Sequence, residues 1–121
     1  MIKSYKDLVV WNKSIELVEL IYTLSKQLPE AEKFTLCNQM QRAAISIPSN
    51  IAEGSRRGSR KDYRQFCLIA LGSCAELNTQ LIICRRVYSH IDTEKAETLC
   101  EEVSKMLLSL SSRLNSDSYK L

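Results

Sequence analysis

The sequence is poor in the residues that interrupt helices. It contains three glycines and two prolines among 121 residues, whereas good helix formers such as leucine, glutamate and lysine are frequent. Glycine and proline are the residues least compatible with a helix interior, so their scarcity favours long helices joined by few turns. A chain of this length can bury the core of one domain without disulfides or bound metal. We therefore expect a single all-α domain.

Long uninterrupted apolar runs are also lacking, and so is a strong charge of one sign. Lys3, Lys6 and Asp7 are among the charged residues that break the apolar stretches near the N-terminus, so we predict no targeting segment there and no membrane partner. Five cysteines, an odd number, favour reduced thiols and a cytoplasmic location. The net charge of +3 is only mildly basic, so the placement of the charges must indicate the partner.

Apolar residues recur at steps of three and four residues over four segments, which predicts four amphipathic helices. Short connections between such long helices favour antiparallel neighbours, and we predict an up-down-up-down four-helix bundle. Capping-box spacing of Ser4 with Asp7 and of Ser59 with Asp62 indicates two helix starts, and Asp92 is the predicted N-cap of the fourth helix. The predicted helices span residues of about 7–28, 32–53, 60–88 and 93–114.

The first and fourth helices carry more apolar residues than one core-facing stripe requires. In the first helix, the stripe that includes Trp11 and Val18 lies beside a second apolar stripe. That second stripe includes Leu17 and Ile21, and the fourth helix has a similar excess of Cys100, Leu107 and Leu108. A bundle helix needs about three apolar positions in seven for its core. The excess predicts burial against another subunit, and a broad core-facing stripe with some exposed apolar residues is the alternative.

Pro48 lies inside the second predicted helix rather than at its end. The apolar stripe keeps its phase across the proline, because Ala44, Ile47 and Ile51 are separated by steps of three and four residues. We therefore predict a continuous helix with a kink, interpreted as a fit to the neighbouring helices rather than as a functional feature. Polar side chains such as Asn50 are placed to hydrogen-bond the freed backbone groups.

A concentration of positive charge follows the second helix, where Gly54 or Gly58 is expected to provide the C-cap and the turn. Its later members lie in the first turns of the third helix, where the helix dipole favours acids instead. Cationic side chains and the free amides of a helix N-terminus together suit phosphate binding. We predict a phosphate-binding surface, with a solvated basic turn as the alternative. The members of this basic cluster are Arg56, Arg57, Arg60, Lys61 and Arg64.

Two other arginines, Arg85 and Arg86, would extend a basic surface along the third helix. They lie near its C-terminal end, where cations suit the helix dipole, so the alternative of a purely structural role is stronger for them than for the basic cluster.

The chain offers little that would support catalysis or metal binding. Cys67, Cys74 and Cys84 share one face of the third helix, but their spacing is too long for one zinc ion, so we expect core packing. His90 lies in a predicted turn without a nucleophile in a recognisable motif, and no Gly-rich phosphate loop is present. The sequence therefore predicts neither an enzyme nor a bound cofactor.

Three stretches of the sequence carry a family resemblance: "DLVVWNKS", "QRAAISIPSNIAEGSRRGS" and "IALGSCAELNTQL". They resemble the small four-helix-bundle family encoded by intervening sequences in bacterial large-subunit (23S) ribosomal RNA genes, which is related to accessory proteins of diversity-generating retroelements. The most specific part is the run from Arg42 to Gly54, which includes Pro48, Asn50 and Glu53.

The resemblance implies an antiparallel bundle that assembles as a ring-like homopentamer with a basic surface that contacts nucleic acid. It adds Arg42 to the implied nucleic-acid-binding residues, whereas Gln41 departs from the arginine that many relatives have beside it and lowers the expected positive potential. Our leading hypothesis is a non-enzymatic homo-oligomer that binds the backbone of RNA or DNA. The alternative is a structural adaptor that recruits a protein partner, such as a reverse transcriptase, through its oligomeric surface.

Overall fold

Helices dominate the chain, as its composition predicts. A computed structural model describes residues 3–116, and within this range it contains four α-helices, two short 3-10 turns and no strand. The predicted all-α four-helix bundle is confirmed. The helices are α1 Val9–Ser25, α2 Leu36–Ser55, α3 Arg60–Val87 and α4 Glu94–Ser116, and the 3-10 turns are Tyr5–Asp7 and Glu30–Glu32.

The predicted start signals are shifted by up to two residues, and since α4 begins at Glu94, Thr93 rather than the predicted Asp92 directly precedes it. Ser4 and Asp7 form the expected capping box, but it opens the 3-10 turn and α1 begins only at Val9. Asp92 accepts a hydrogen bond from the Glu94 amide at 3.0 Å, at the start of α4. A capping box satisfies the free amides of whichever helical turn follows it, so its spacing cannot distinguish a 3-10 turn from an α-helix.

Each helix packs against two others: α1 and α3 both contact α2 and α4. The guanidinium of Arg56, after α2, lies over the Tyr5 ring, before α1, at 5.7 Å. Arg60, at the start of α3, donates to the carbonyl of Arg113 near the end of α4 at 3.2 Å. We call the end of the bundle that holds these contacts the basic end, because it carries the basic cluster.

Contacts at the opposite end, the distal end, join the other helix termini. The Cys37 thiol at the start of α2 donates to the Ser25 carbonyl at the end of α1. Arg85 near the end of α3 pairs with Glu97 near the start of α4 at 3.0 Å. Contacts of this kind at both ends are those expected when consecutive helices run antiparallel, in agreement with the predicted up-down-up-down order.

The core shows that α1 is rotated relative to its sequence interpretation. Leu17 and Ile21 are fully buried, whereas Trp11 and Val18 are only partly buried and Tyr22 is 43% exposed. The stripe assigned to another subunit is thus the core stripe, and the stripe assigned to the core lies at its edge. Periodicity identifies two adjacent apolar stripes but not which of them faces the neighbours, since that rotation depends on how α2 and α4 pack against α1.

A similar correction applies to α4. Leu107 is fully buried and Cys100 is 1% exposed, so both belong to the core rather than to an excess outside it. Leu108, by contrast, is 55% exposed.

The second helix passes through Pro48 without a break, which confirms the prediction of a continuous helix. The Asn50 side-chain amide donates to the Ser46 carbonyl at 2.8 Å and to the Ser46 hydroxyl at 2.9 Å. It thus binds the backbone of this segment at Ser46, not at the Ala44 carbonyl whose usual donor the proline removes. The Ser46 hydroxyl also lies 2.8 Å from the Ser73 hydroxyl, so the same polar group links α2 to α3.

The two glycines near the end of α2 have different roles. Gly54 lies inside the last turn of α2, and a Cβ added there would be 2.7 Å from the Cβ of Phe66 on α3. Gly58 has a φ of +87°, the left-handed conformation that glycine adopts most easily. Gly54 therefore permits the close approach of α2 and α3, while Gly58 makes the turn between them.

Candidate nucleic-acid interface

The basic cluster is positioned by the turn between α2 and α3. The Ser59 hydroxyl accepts a hydrogen bond from the Asp62 amide at 3.1 Å, so Ser59 is the N-cap of α3 and α3 begins at Arg60, as predicted. Two members of the cluster precede this cap and three follow it. Four of the five are exposed and Arg64 is partly buried, so the structure brings the predicted residues together on one exposed corner of the bundle.

Neighbouring groups hold the first two arginines of the cluster. Arg57 pairs with Glu53 at 3.0 Å and its guanidinium lies 4.8 Å from the centre of the Phe66 ring. Arg56 lies over the Tyr5 ring, as described above. Contacts with aromatic faces leave guanidinium N–H groups free to meet an anion while they limit the motion of the side chain. Both cations are thus ordered before a ligand arrives, which lowers the entropy lost on binding.

Two helix termini explain how Arg60 is tolerated in the first turn of α3. The positive dipole end of α3 disfavours a cation at this position. The guanidinium of Arg60, however, donates to the Arg113 carbonyl in the last turns of α4, where the dipole is negative and a cation is favoured. Arg60 is therefore stabilised by the end of a second helix, which the sequence pattern of α3 alone does not show.

Arg64 has a donor without a partner. Its Nε is buried and makes no hydrogen bond within residues 3–116. The nearby acids, Glu53 and Asp62, are outnumbered by the cations of the cluster. This corner of the bundle therefore has an excess of positive charge and exposes guanidinium and ammonium donors, the groups that bind phosphate oxygens.

The other predicted site residues lie far from the cluster within one subunit. Arg42 is exposed on α2, fourteen residues before Arg56, which is about 21 Å along a helix at 1.5 Å per residue. Arg86 is twenty-six residues beyond Arg60 on α3, or about 39 Å. Arg85 lies beside it and is paired with Glu97. The structure therefore does not join these three arginines to the cluster in a single chain.

The distal end has a different chemistry. An open cleft of about 640 Å³ is lined by Arg85, His90 and Glu97 among others. Beside it, the Tyr88 hydroxyl donates to the Glu32 carboxylate at 2.5 Å. Hydrogen bonds from Thr35 and then Tyr88 lower the pKa of Glu32, and the bond to Glu32 raises the pKa of Tyr88. Acids and cations are thus interspersed at this end.

The cysteines occupy the core, as predicted for Cys67, Cys74 and Cys84. All five are buried and none of them is in a disulfide, and burial raises the pKa of Cys67 to about 11. Throughout the described range, no group of three or more His, Cys, Asp or Glu residues is placed to hold a metal ion.

An apolar surface at the distal end was missed by the sequence interpretation. Phe34 is 81% exposed, Val87 62% and Ile83 46%, and they line a cleft of about 480 Å³ with polar residues that include Gln80. Phe34 stands in a charged stretch outside any apolar stripe, so periodicity does not mark it. The composition of α3 was the available signal for this apolar surface. An 18-residue window of α3 has a mean hydropathy of 1.5, but only 39% of that window is buried. By length and composition this helix also matches a membrane span, a test that core helices pass as well.

Comparisons with known proteins agree with the fold. A family model described as "23S rRNA-intervening sequence protein" matches residues 6–109. A crystal structure of a protein with unknown function from the S23 ribosomal protein family of Bacteroides thetaiotaomicron VPI-5482 is 30% identical, covers 85% of this chain and 98% of its own, and superimposes with a TM-score of 0.77. No curated protein matches. The chain belongs to the 23S rRNA-intervening sequence protein family.

Proposed function

We propose that this protein is a non-enzymatic, cytoplasmic homo-oligomer that binds the sugar-phosphate backbone of RNA or DNA through the basic cluster at the α2–α3 turn. The observation that carries the proposal is the concentration of five cations on one exposed corner, two of them held against aromatic rings. Such a surface contacts phosphates rather than base edges, so binding is largely independent of sequence.

The amides at the start of α3 add to this surface. One of these amides, that of Asp62, already donates to the Ser59 hydroxyl. The positive end of the α3 dipole faces the same solvent as Lys61. A phosphate at this position meets side-chain cations and the helix terminus together. This arrangement favours a nucleic-acid backbone over an acidic protein surface, because the adjacent cations of the cluster can meet successive phosphates of one strand, whose charges are regularly spaced.

The homo-oligomer is supported by apolar surface that a single chain leaves uncovered. Tyr22 and Ile45 are each more than 40% exposed, as are Ile83 and Val87 on α3. Assembly would cover part of this surface, and the family resemblance implies five copies. Assembly would also repeat the basic cluster in every subunit, so that several clusters act on one nucleic acid and raise the apparent affinity.

Electrophoretic titration with RNA and with DNA over a range of salt concentrations tests the binding. If Z phosphates are neutralised, log K is expected to fall against log salt with a slope of roughly −0.7Z for single strands and −0.9Z for duplexes. Binding that does not respond to salt, or no binding at low salt, would refute the proposal.

Light scattering tests the assembly separately. We expect a species several times heavier than the 13.8 kDa chain at micromolar concentration. A species of 13.8 kDa alone would refute homo-oligomerisation but not the basic interface.

The adaptor function is a second candidate because of the exposed apolar residues Phe34, Ile83 and Val87. Side chains of this kind form the centres of protein interfaces. If the assembled oligomer leaves Phe34 accessible and neither RNA nor DNA binds, a protein partner at the distal end becomes the favoured function. Hydrogen exchange around Phe34 in the oligomer distinguishes the two cases.

A further inference from the structure

Two cysteines on different helices meet in the core. Cys74 on α3 and Cys100 on α4 are each 1% exposed, and the Cys100 thiol donates to the Cys74 carbonyl oxygen at 3.4 Å. They are separated by 26 residues in the chain and are brought together because α3 and α4 pack side by side. Sequence spacing along α3 gives no indication of this pair, since one member lies on another helix.

The environments of the two thiols are unequal. Hydrogen bonds from the Cys100 thiol and, to a lesser degree, the Ser104 hydroxyl lower the pKa of Cys74 despite its burial. The pKa of Cys100 is raised, mainly because its thiol is hydrogen-bonded to Cys74. Cys74 is therefore the sulfur better able to exist as a thiolate, the nucleophilic form, and Cys100 is the neighbouring thiol that can react with an oxidised partner.

We propose that Cys74 and Cys100 form a modification site, at which hydrogen peroxide generates a disulfide that joins α3 to α4. In the first step the Cys74 thiolate attacks a peroxide oxygen and the O–O bond breaks, which gives a Cys74 sulfenic acid and, after protonation, water. In the second step the Cys100 sulfur attacks the Cys74 sulfur, the S–O bond breaks and a second water leaves. The two thiols lose two electrons and two protons in total, and the peroxide is reduced to two waters.

Burial determines the class of oxidant. A thiol that is 1% exposed is out of reach of a bulky disulfide such as oxidised glutathione, whereas hydrogen peroxide is not much larger than water. Local opening of the α3–α4 contact admits a small molecule long before it admits a tripeptide. Hydrogen peroxide is therefore the oxidant that fits this site.

The disulfide would enclose the whole α3–α4 turn. The enclosed loop includes Arg85, His90 and Glu97, which line the distal cleft. A link across this loop restricts the unfolded chain and opposes the separation of α3 from α4. We therefore expect oxidation to raise the melting temperature and a dithiol reductant to return it to its original value.

Other cysteines of the same chain provide matched controls. Cys67 lies on the same face of α3, two helical turns before Cys74, and is equally buried. Burial is the cause of its raised pKa. Cys37 and Cys84 are a competing pair, because Cys37 contributes to the raised pKa of Cys84.

The experiment is peroxide titration of the native, reduced wild-type protein, followed by alkylation, intact mass measurement and peptide mapping. We expect a product lighter by two hydrogens, a Cys74–Cys100 cross-linked peptide, and Cys67 still alkylated. A cross-link between Cys37 and Cys84 instead, oxidation of Cys67 at the same rate as Cys74, or no loss of two hydrogens would overturn the proposal.

Variants refine the test without being essential to it, because the mapping uses unaltered protein. Cys100→Ala is expected to abolish the lighter product and Cys67→Ala to retain it. Retention of the product in a folded Cys100→Ala protein would overturn the proposal. If Cys100→Ala fails to fold, the peptide map of the wild-type protein still shows whether Cys74 and Cys100 are cross-linked.

Discussion

The two ends of α3 both carry arginines, but in opposite environments. Arg60 and Arg64 stand at the N-terminal end, where the α3 dipole repels them, whereas Arg85 and Arg86 stand at the C-terminal end, where it attracts them. Arg85 pairs with Glu97 at 3.0 Å, while Arg60 donates to the Arg113 carbonyl near the end of α4. Residues of one type thus have a structural role at one end and form a candidate binding surface at the other.

The comparison shows that the partner of a charge matters more than the number of charges. A guanidinium that is paired with a carboxylate, as Arg85 is with Glu97 and Arg57 is with Glu53, has less of its charge available to a phosphate. A guanidinium that lies over an aromatic ring keeps most of its charge available, as Arg56 does over Tyr5. The basic end is therefore the part of the bundle where we expect a polyanion to bind.

The largest effect is expected from removing two arginines at each end in turn. Arg60→Ala combined with Arg64→Ala should weaken binding by roughly tenfold per lost phosphate contact at low salt and reduce the salt slope by about 0.7–0.9 for each. Arg85→Ala combined with Arg86→Ala removes the same number of charges from the same helix and should change binding far less. Electrophoretic titration measures both.

Equal losses in the two double variants would show that total charge, rather than its position, governs binding. Because the Nε of Arg64 is buried, melting curves must confirm that the first variant remains folded.

A stability effect is expected at the α2–α3 contact that positions the basic end. Gly54→Ala places a methyl group 2.7 Å from the Phe66 Cβ, and we expect a loss of about 1–3 kcal/mol because the helices must move apart. Gly72→Ala is the control, since a Cβ there meets nothing within 4 Å on exposed helix. It should stabilise by about 0.5–1 kcal/mol.

Denaturant unfolding of both glycine variants measures these changes. The structure of the α2–α3 contact would be wrong if Gly54→Ala were as stable as Gly72→Ala.

The pH dependence of the distal end follows from the Tyr88–Glu32 hydrogen bond. The pKa of Glu32 is lowered on folding from its ordinary value of 4.5. The contribution of Glu32 to stability is therefore present above pH 4.5 and is lost as the pH falls. The pKa of Tyr88 is raised on folding from its ordinary value of 10.0. The contribution of Tyr88 to stability is therefore present below pH 10.0 and is lost as the pH rises. Tyr88→Phe should lower the melting temperature between these values and reduce its dependence on pH at both extremes.

Melting curves of Tyr22→Phe over the same pH range serve as the reference for Tyr88→Phe, because Tyr22 is an exposed tyrosine. An unchanged pH profile in Tyr88→Phe would contradict the assignment of the hydrogen bond.

The smallest effects are expected from the ion pairs at the two ends. Arg85–Glu97 and Arg57–Glu53 are partly exposed, and such pairs contribute about 0–1 kcal/mol each. Double-mutant cycles by chemical unfolding should give couplings in this range that decrease with added salt. A coupling well above this range at Arg57–Glu53 would mean that Arg57 is a structural residue rather than a ligand-binding one.

Much of the fold could be predicted from the sequence because helices are specified by local sequence signals. The scarcity of glycine and proline, the three-and-four periodicity and the Ser59 cap located α3 to within a residue at each end. The phase of Ala44, Ile47 and Ile51 predicted the passage of α2 through Pro48. Each of these signals depends on residues within a few turns of one another.

What the sequence missed depends on contacts between helices. The rotation of α1, the role of Gly54 against Phe66, and the support of Arg60 by the end of α4 all involve residues distant in the chain. The basic cluster was predicted as a group, but the separation of Arg42, Arg85 and Arg86 from it required the helix lengths and their arrangement.

Lysine footprinting tests the central claim most directly, because lysines lie at both ends of the bundle. Lys61 is in the basic cluster, whereas Lys33 and Lys95 lie at the distal end, and all three are exposed. The protein is acetylated with and without RNA at low salt, and mass spectrometry measures the modification of each lysine. We predict that RNA protects Lys61, that Lys33 and Lys95 remain reactive, and that high salt removes the protection. Protection of Lys33 or Lys95 with Lys61 still reactive would contradict the account.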